Sequence, residues 1–191
     1  MNSLPEHINQ VIRQRRSIYP PQYSGEKVPK TIIEQMLENA TWAPTHRLTE
    51  PWRFVVFEEK GLENLLAKMA QIYQDETPAE NFKIEKYQKF GEMAFWVSHI
   101  IALGICRHES LVPEIEEVCS LACAVQNMSL TATAYGVGTY WSTGGGTFSP
   151  EMPRFLGFDK CLGFLYVGMP KGKQATGKRK HFSETTQWRT T

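Results

Sequence analysis

Cysteine is scarce: the 191 residues hold four, Cys106, Cys119, Cys123 and Cys161. Cys119 and Cys123 stand four apart on one face of a predicted helix, and a zinc site would need two more ligands at a matching spacing. Cys106 and Cys161 lie in apolar segments, where free cysteine acts as a small core residue. Neither a metal centre nor a disulfide framework is expected, and a reducing, cytoplasmic setting follows. An excess of one charge is missing too. The 21 Lys and Arg meet 20 Asp and Glu, for a net charge of +1. Bulk electrostatics therefore predict no nucleic-acid partner and no anionic membrane. Long apolar runs are absent. The most apolar stretch, Val97 to Cys106, is too short to span a bilayer, and Met1 to Gln10 lacks the apolar run of a signal peptide.

What is present is an ordinary globular mixture, 41% hydrophobic and 21% charged. With no internal repeat and no separating linker, residues 1–191 read as one domain, or as one protomer of an intimate dimer. Leu4, Ile8, Val11 and Ile12 recur at helical spacing and predict a helix over 4–16. Tyr19 to Gly25, with two prolines, is a loop. Ile32, Ile33, Met36, Leu37 and Ala40 give a second amphipathic helix opened by Pro29 and stopped at Ala43-Pro44. Trp52 to Phe57 reads as a strand. Helices are expected over 62–73, more weakly over 82–95, and over 115–135, with a mobile loop at 75–81. A buried strand is expected at 98–106 and another short strand at 163–169. The middle of the longest helix, Leu121 to Val125, is apolar nearly all round, which predicts burial on several sides, with room for a second copy of the chain.

Several familiar chemistries are excluded by pattern. Gly136-Val137-Gly138 has Trp141 where a dinucleotide fingerprint needs its third glycine, and it follows a helix instead of a strand. Gly144-Gly145-Gly146 lacks the lysine and hydroxyl that end a phosphate loop. Its two readings are a flexible turn and a close approach of backbone to a flat ligand. No Ser/His/Asp order suggests acyl transfer, and no carboxylate pair suggests glycoside hydrolysis. Arg15-Arg16-Ser17 also has two readings. Its cations suit the C-terminus of a helix, and two guanidinium groups beside a hydroxyl suit a phosphate. Lys178-Arg179-Lys180 is a second basic cluster. Trp42 to Trp52 encloses a polar loop with His46, Arg47 and Glu50.

These segments, taken in order, carry a resemblance. Arg15-Arg16-Ser17, Ala43-Pro44-Thr45-His46 with Glu50-Pro51-Trp52-Arg53-Phe54-Val55-Val56, Cys123 to Met128, Gly136 to Ser142, and Gly163 to Pro170 look like the successive blocks of the FMN-dependent nitroreductase family. They are similar most of all to its short members, over residues 5 to 188. The resemblance implies an α+β fold with a central, mostly antiparallel sheet flanked by helices, in an intertwined homodimer with FMN at two interface sites. It implies ping-pong hydride transfer from NADH or NADPH to a small-molecule acceptor such as a nitro compound or quinone. By resemblance, Arg15, Arg16 and Ser17 hold the phosphate and ribityl chain, and His46 and Glu50 reach the flavin of the partner subunit. Trp141, Ser142 and Thr143 line the other side of the isoalloxazine. Lys178 and Arg179 fall near the phosphate, with the register among Lys178, Arg179 and Lys180 open. No catalytic side chain is expected, because the flavin carries the hydride chemistry.

Two departures stand out. Tyr19 occupies a position that is often basic, and Glu50 one that is commonly Gln in the short members. A carboxylate cannot donate a hydrogen bond as an amide does; Glu50 either faces the ring or pairs with Arg47 or Arg53. A non-catalytic flavin or nucleotide carrier, and a relative that dehalogenates reductively or breaks down flavin, are the other readings of the chain.

Overall fold

The computed structural model describes residues 3–191. Four strands, β1 (Trp52–Phe57), β2 (His99–Ile105), β3 (Gly138–Ser142) and β4 (Lys160–Gly168), form one sheet in the order β1-β2-β4-β3. Every neighbouring pair is antiparallel. All seven residues of β2 are buried, as the apolar run that follows His99 requires when both faces are covered. Strand alternation then sorts the side chains into two cores. Ile100, Ala102, Phe164 and Tyr166 face one; Ile101, Leu103, Ile105, Leu165 and Val167 face the other.

Helices close both faces. The first core is covered by α3 (Glu59–Glu76), α4 (Ile84–Glu92) and α6 (Glu151–Leu156), through Leu62, Leu65, Leu66, Met69, Phe90 and Met152. The second is covered by α2 (Lys30–Thr41) and α5 (Glu114–Ala134), through Ile33, Met36, Ala40, Leu121, Ala124 and Met128. The remaining helix, α1 (Leu4–Gln14), is amphipathic but buries no residue within the chain. Leu4, Ile8 and Ile12 are 73%, 51% and 49% exposed. These three side chains leave an exposed apolar ridge along α1.

The structure departs from the periodicity in places. The first helix stops at Gln14, and Arg15 takes extended backbone angles. The segment expected to be a mobile loop at 75–81 is partly helix, since α3 runs to Glu76 and a 3₁₀ turn spans Ala79–Asn81. Ser149 Oγ donates to the Glu76 carboxylate at 2.6 Å, and the Lys83 amide donates to the Tyr73 hydroxyl at 2.9 Å, which fasten both ends of it. The weaker helix shortens to α4 with a 3₁₀ turn at Met93–Phe95. Two elements were not foreseen, α6 and the edge strand β3. At Leu121 to Val125, Leu121, Ala124 and Val125 are buried in the chain while Cys123 is exposed.

A buried polar chain crosses the start of β2. The Val28 amide donates to Ser98 Oγ at 2.7 Å, Ser98 Oγ meets His99 Nδ1 at 2.9 Å, and His99 Nε2 meets Glu58 at 3.2 Å. A hydroxyl donating to Nδ1 and an Nε2–H donating to the carboxylate satisfy every group with a neutral ring. Burial lowers the His99 pKa, against the opposing pull of Glu58. The unfolded chain therefore binds more protons than the folded one below the ordinary histidine value. Stability is complete above about pH 6.5 and falls as pH drops through that value toward the lowered folded one. His99→Asn, which does not titrate, is expected to lose less stability than the parent on going from about pH 7.5 to about pH 5. Urea unfolding at both values checks this; parallel losses in the two proteins would contradict it.

Candidate functional site

After α1 the chain turns extended and joins the edge of the sheet. Ser17 pairs with Thr139 in a parallel bridge, and the Ile18 amide donates to the Thr139 carbonyl at 3.0 Å. Tyr23, fully buried, donates its hydroxyl to the Tyr166 carbonyl at 3.1 Å and pins the following loop to β4; burial raises its pKa, so it stays neutral. This fixes Arg15-Arg16-Ser17 at the start of β3.

The two arginines do different things. Arg16 Nη1 donates to the carbonyls of Arg13 and Arg15, each at 2.7 Å, so it caps the end of α1. Its Nε is buried without a partner. Gly177 lies against the same guanidinium, where a Cβ would come within 2.4 Å of Cζ. That contact brings the C-terminal basic cluster to the arginine motif. Within the cluster, Arg179 donates to the Lys178 carbonyl at 2.7 Å, and Lys180 pairs with Glu184 at 3.9 Å. Among the described residues, the side chains of Arg15, Ser17 and Lys178 make no hydrogen bond or ion pair. Of these three, Ser17 lines a groove of about 450 Å³ together with Arg16, Tyr19 and Gln174.

Trp141, Ser142 and Thr143 lie along the same edge. Three residues of strand separate Thr139 from Ser142, on the order of 10 Å at the usual rise. Trp141 donates Nε1–H to the Leu162 carbonyl at 3.0 Å. Gly163 makes room for it: a Cβ there would sit 2.6 Å from that nitrogen. Tyr19 packs against Tyr140 with ring centroids 4.5 Å apart and the planes tilted by 48°, so the residue standing at the often basic position packs on the strand. The glycine triplet that follows packs closely against α3. Gly145 and Gly146 have φ of 64° and 77°, and a Cβ on either would meet Met69 or Ile72 of α3 at 2.8 Å.

His46 and Glu50 are elsewhere. Their loop feeds β1, the opposite edge of the sheet, three strand spacings or roughly 14 Å across from β3. One chain therefore holds the two sets of candidate residues at opposite edges of its sheet. The loop is unusual in its backbone, with Arg47, Leu48 and Glu50 at φ of 51°, 53° and 43°. Left-handed angles in non-glycine residues persist only where the surroundings over-determine them. Here the Glu50 amide donates to Thr45 Oγ1 at 3.0 Å, and Arg53 donates to the carbonyls of Glu50 and Trp52 at 2.9 and 2.8 Å. From α5, Ser120 Oγ donates to the Pro44 carbonyl at 2.8 Å, and Glu116 accepts from His46 Nδ1. The Glu50 carboxylate itself forms no ion pair among the described residues; Arg53 takes its carbonyl, not its acid. Glu116 and Ser120 are supports of this loop that sequence reading missed. They are seventy or more residues from their partners, and only the ordinary helix periodicity marked them.

Next to Glu116, Glu117 is 1% exposed. It accepts from the Arg107 guanidinium, from the His108 amide at 2.9 Å and from His108 Nδ1 at 3.1 Å. This network locks the first turn of α5. No group of three or more His, Cys, Asp or Glu among the described residues could hold a metal ion, and no described helix is long and apolar enough to cross a membrane.

The sequence model of the nitroreductase family matches residues 12–173. The chain belongs to the nitroreductase family. Within that family it is 29% identical over 185 residues to YfhC of Bacillus subtilis (strain 168), named as a candidate NAD(P)H nitroreductase, with 93% of each chain covered. Two solved structures carry the same fold. A nitroreductase-like family protein from Bacillus cereus superposes with a TM-score of 0.80 at 22% identity, covering 100% of this chain and 97% of its own. The FMN-dependent nitroreductase NfnB from Mycobacterium smegmatis, solved with NADPH, gives 0.77 at 16%, covering 98% and 100%. The expected nitroreductase fold, an antiparallel sheet flanked by helices, is the one observed.

Proposed function

We propose that the chain is an FMN-dependent oxidoreductase that takes hydride from NADH or NADPH and passes it, by a ping-pong sequence, to a small acceptor such as a nitro compound or quinone. In this reading residues 1–191 form one domain, and the protein works as a cytoplasmic homodimer. The observation that carries it is the separation of the two half-sites. The β3 edge offers Arg15 and Ser17 at its start, Lys178 from the chain that follows Gly177, then the strand itself, then an indole and two hydroxyls. That sequence of groups suits a phosphate, a polyhydroxyl chain and a flat ring in turn. The loop with His46 and Glu50, on the far edge of its own sheet, suits the flavin of a partner.

The chain's fit to FMN rests on its donors. Arg15, Ser17 and Lys178 have no competing protein partner, and charge-assisted hydrogen bonds to phosphate are among the stronger polar contacts. Arg179 stands beside them, and Arg16 backs the site from beneath with its unpartnered Nε. When bound, FMN supplies the hydride chemistry; the residues around it bind, orient and exclude water. The ridge of Leu4, Ile8 and Ile12, together with exposed Ile115, Cys119 and Cys123 on α5, supports the dimer, because an obligate interface is apolar. Four free cysteines fit a reducing compartment.

Loss of one charge-assisted contact costs on the order of 1.5–3 kcal/mol of binding. Arg15→Ala is therefore expected to weaken FMN binding roughly 10- to 100-fold, read by fluorescence titration. An unchanged affinity would remove Arg15 from the phosphate site. For Glu50, an unpaired carboxylate beside the partner's flavin opposes the negative charge that reduction places on the ring. Glu50→Gln is expected to raise the flavin midpoint potential by more than about 15 mV, or about 0.7 kcal/mol for a two-electron couple. Potentiometric titration showing a smaller change would mean that Glu50 does not face the ring.

A further inference from the structure

One polar contact at the loop half-site has a direction that chemistry dictates. His46 Nδ1 lies against Glu116. An ionised carboxylate only accepts, so Nδ1 must carry the hydrogen, and in the neutral ring Nε2 is then the bare lone pair. We propose that Glu116 is a positioning residue: it fixes the Nδ1–H tautomer of His46, so that Nε2 is offered across the subunit boundary as a hydrogen-bond acceptor for a flavin donor, the ring imide N–H or a ribityl hydroxyl. The proposal rests on the reading that this loop faces the partner's flavin.

The arrangement around the pair is that of a built support. Glu116 is held from below, because its neighbour Glu117 is buried and bonded to Arg107 and to the backbone and ring of His108. One turn further along α5, Ser120 grips the Pro44 carbonyl at 2.8 Å. The helix therefore holds the loop at Pro44 and at His46. The left-handed backbone at Arg47, Leu48 and Glu50 begins directly after the second grip. Strain of this kind needs fixed anchors on both sides, and Thr45 Oγ1, accepting from the Glu50 amide, supplies the closing one. A loop tied at this many points sets the histidine's position; the carboxylate sets which nitrogen faces outward. The pair sits at a shallow groove lined by Thr45, Ile115, Cys119 and Cys123. Its own side chains are 56% and 40% exposed in the single chain, so the imidazole edge is open to a second subunit.

Two measurements on the full chain test this. Nitrogen-15 spectra of the histidine rings at alkaline pH, where histidine is neutral, are expected to show His46 in the Nδ1–H form. Glu116→Ala is expected to move it to the Nε2–H form. This readout needs no bound flavin. In FMN titrations His46→Asn and Glu116→Ala are each expected to weaken binding on the order of tenfold. The double variant should be no weaker than either single one, because both remove the same contact. Glu116→Gln keeps an acceptor oxygen and is expected to restore most of the affinity. Since both side chains are half exposed, the variants should fold as the parent does. An Nε2–H ring in the parent, additive losses, or an equal loss in Glu116→Gln would each overturn the role of Glu116 while leaving the loop beside the flavin. The expected tautomer with an unchanged affinity in His46→Asn would overturn both.

Discussion

The burial of β2 and β4 on both faces constrains the rest of the molecule. Side chains from these two strands fill both cores, so the sheet has no open face on which a ligand could lie. What remains available is the pair of edges, β3 and β1. Each carries its own hydrogen-bonding backbone and its own adjoining loop. The arginine motif is fastened to the β3 edge by the Ser17–Thr139 bridge, and the His46 loop enters the β1 edge. In the proposed dimer a ligand would take one set of residues from each chain, and the exposed apolar ridge of α1 would supply apolar surface for the interface.

The second organising element is α5. Its inner side, with Leu121, Ala124 and Met128, belongs to the core. Its first two turns do polar work in two directions, since Glu117 anchors the segment after β2 while Glu116 and Ser120 hold the loop before β1. Burying Glu117 would be costly for an isolated carboxylate. A guanidinium and two N–H donors from His108 offset that cost. The reward is rigidity where a strained loop has to be held, and a helix end is a firmer base for it than another loop.

What the sequence made legible followed from contiguity and period. The run at 100–105, after His99, is apolar throughout, and only a fully covered strand or a buried helix reads that way; its length chose the strand. Arg15, Arg16 and Ser17 are adjacent, so their joint suitability for phosphate could be read at once. The edge strand β3 was not legible, because it is five residues long, begins at a glycine and alternates over too few positions to show a period. The different duties of Arg15 and Arg16 were hidden as well. They depend on the carbonyls at the end of α1 and on Gly177, which the fold brings from the far end of the chain. The glycine triplet, open to two readings, is explained by the close passage of α3. The pairing of His46 with Glu116 spans seventy residues and left no local trace.

The central claim is that each flavin is held by two subunits, the β3 edge of one and the His46 loop of the other. Mixed dimers test it most directly. Arg15→Ala and His46→Ala homodimers should each bind FMN weakly. A heterodimer with one variant in each subunit would, on this account, place both lesions in one site and leave the other site intact. Its FMN titration should show half the sites at parental affinity and half weaker than in either variant. If each flavin belonged to a single chain, every site in the heterodimer would carry one lesion, and no site at parental affinity would be found.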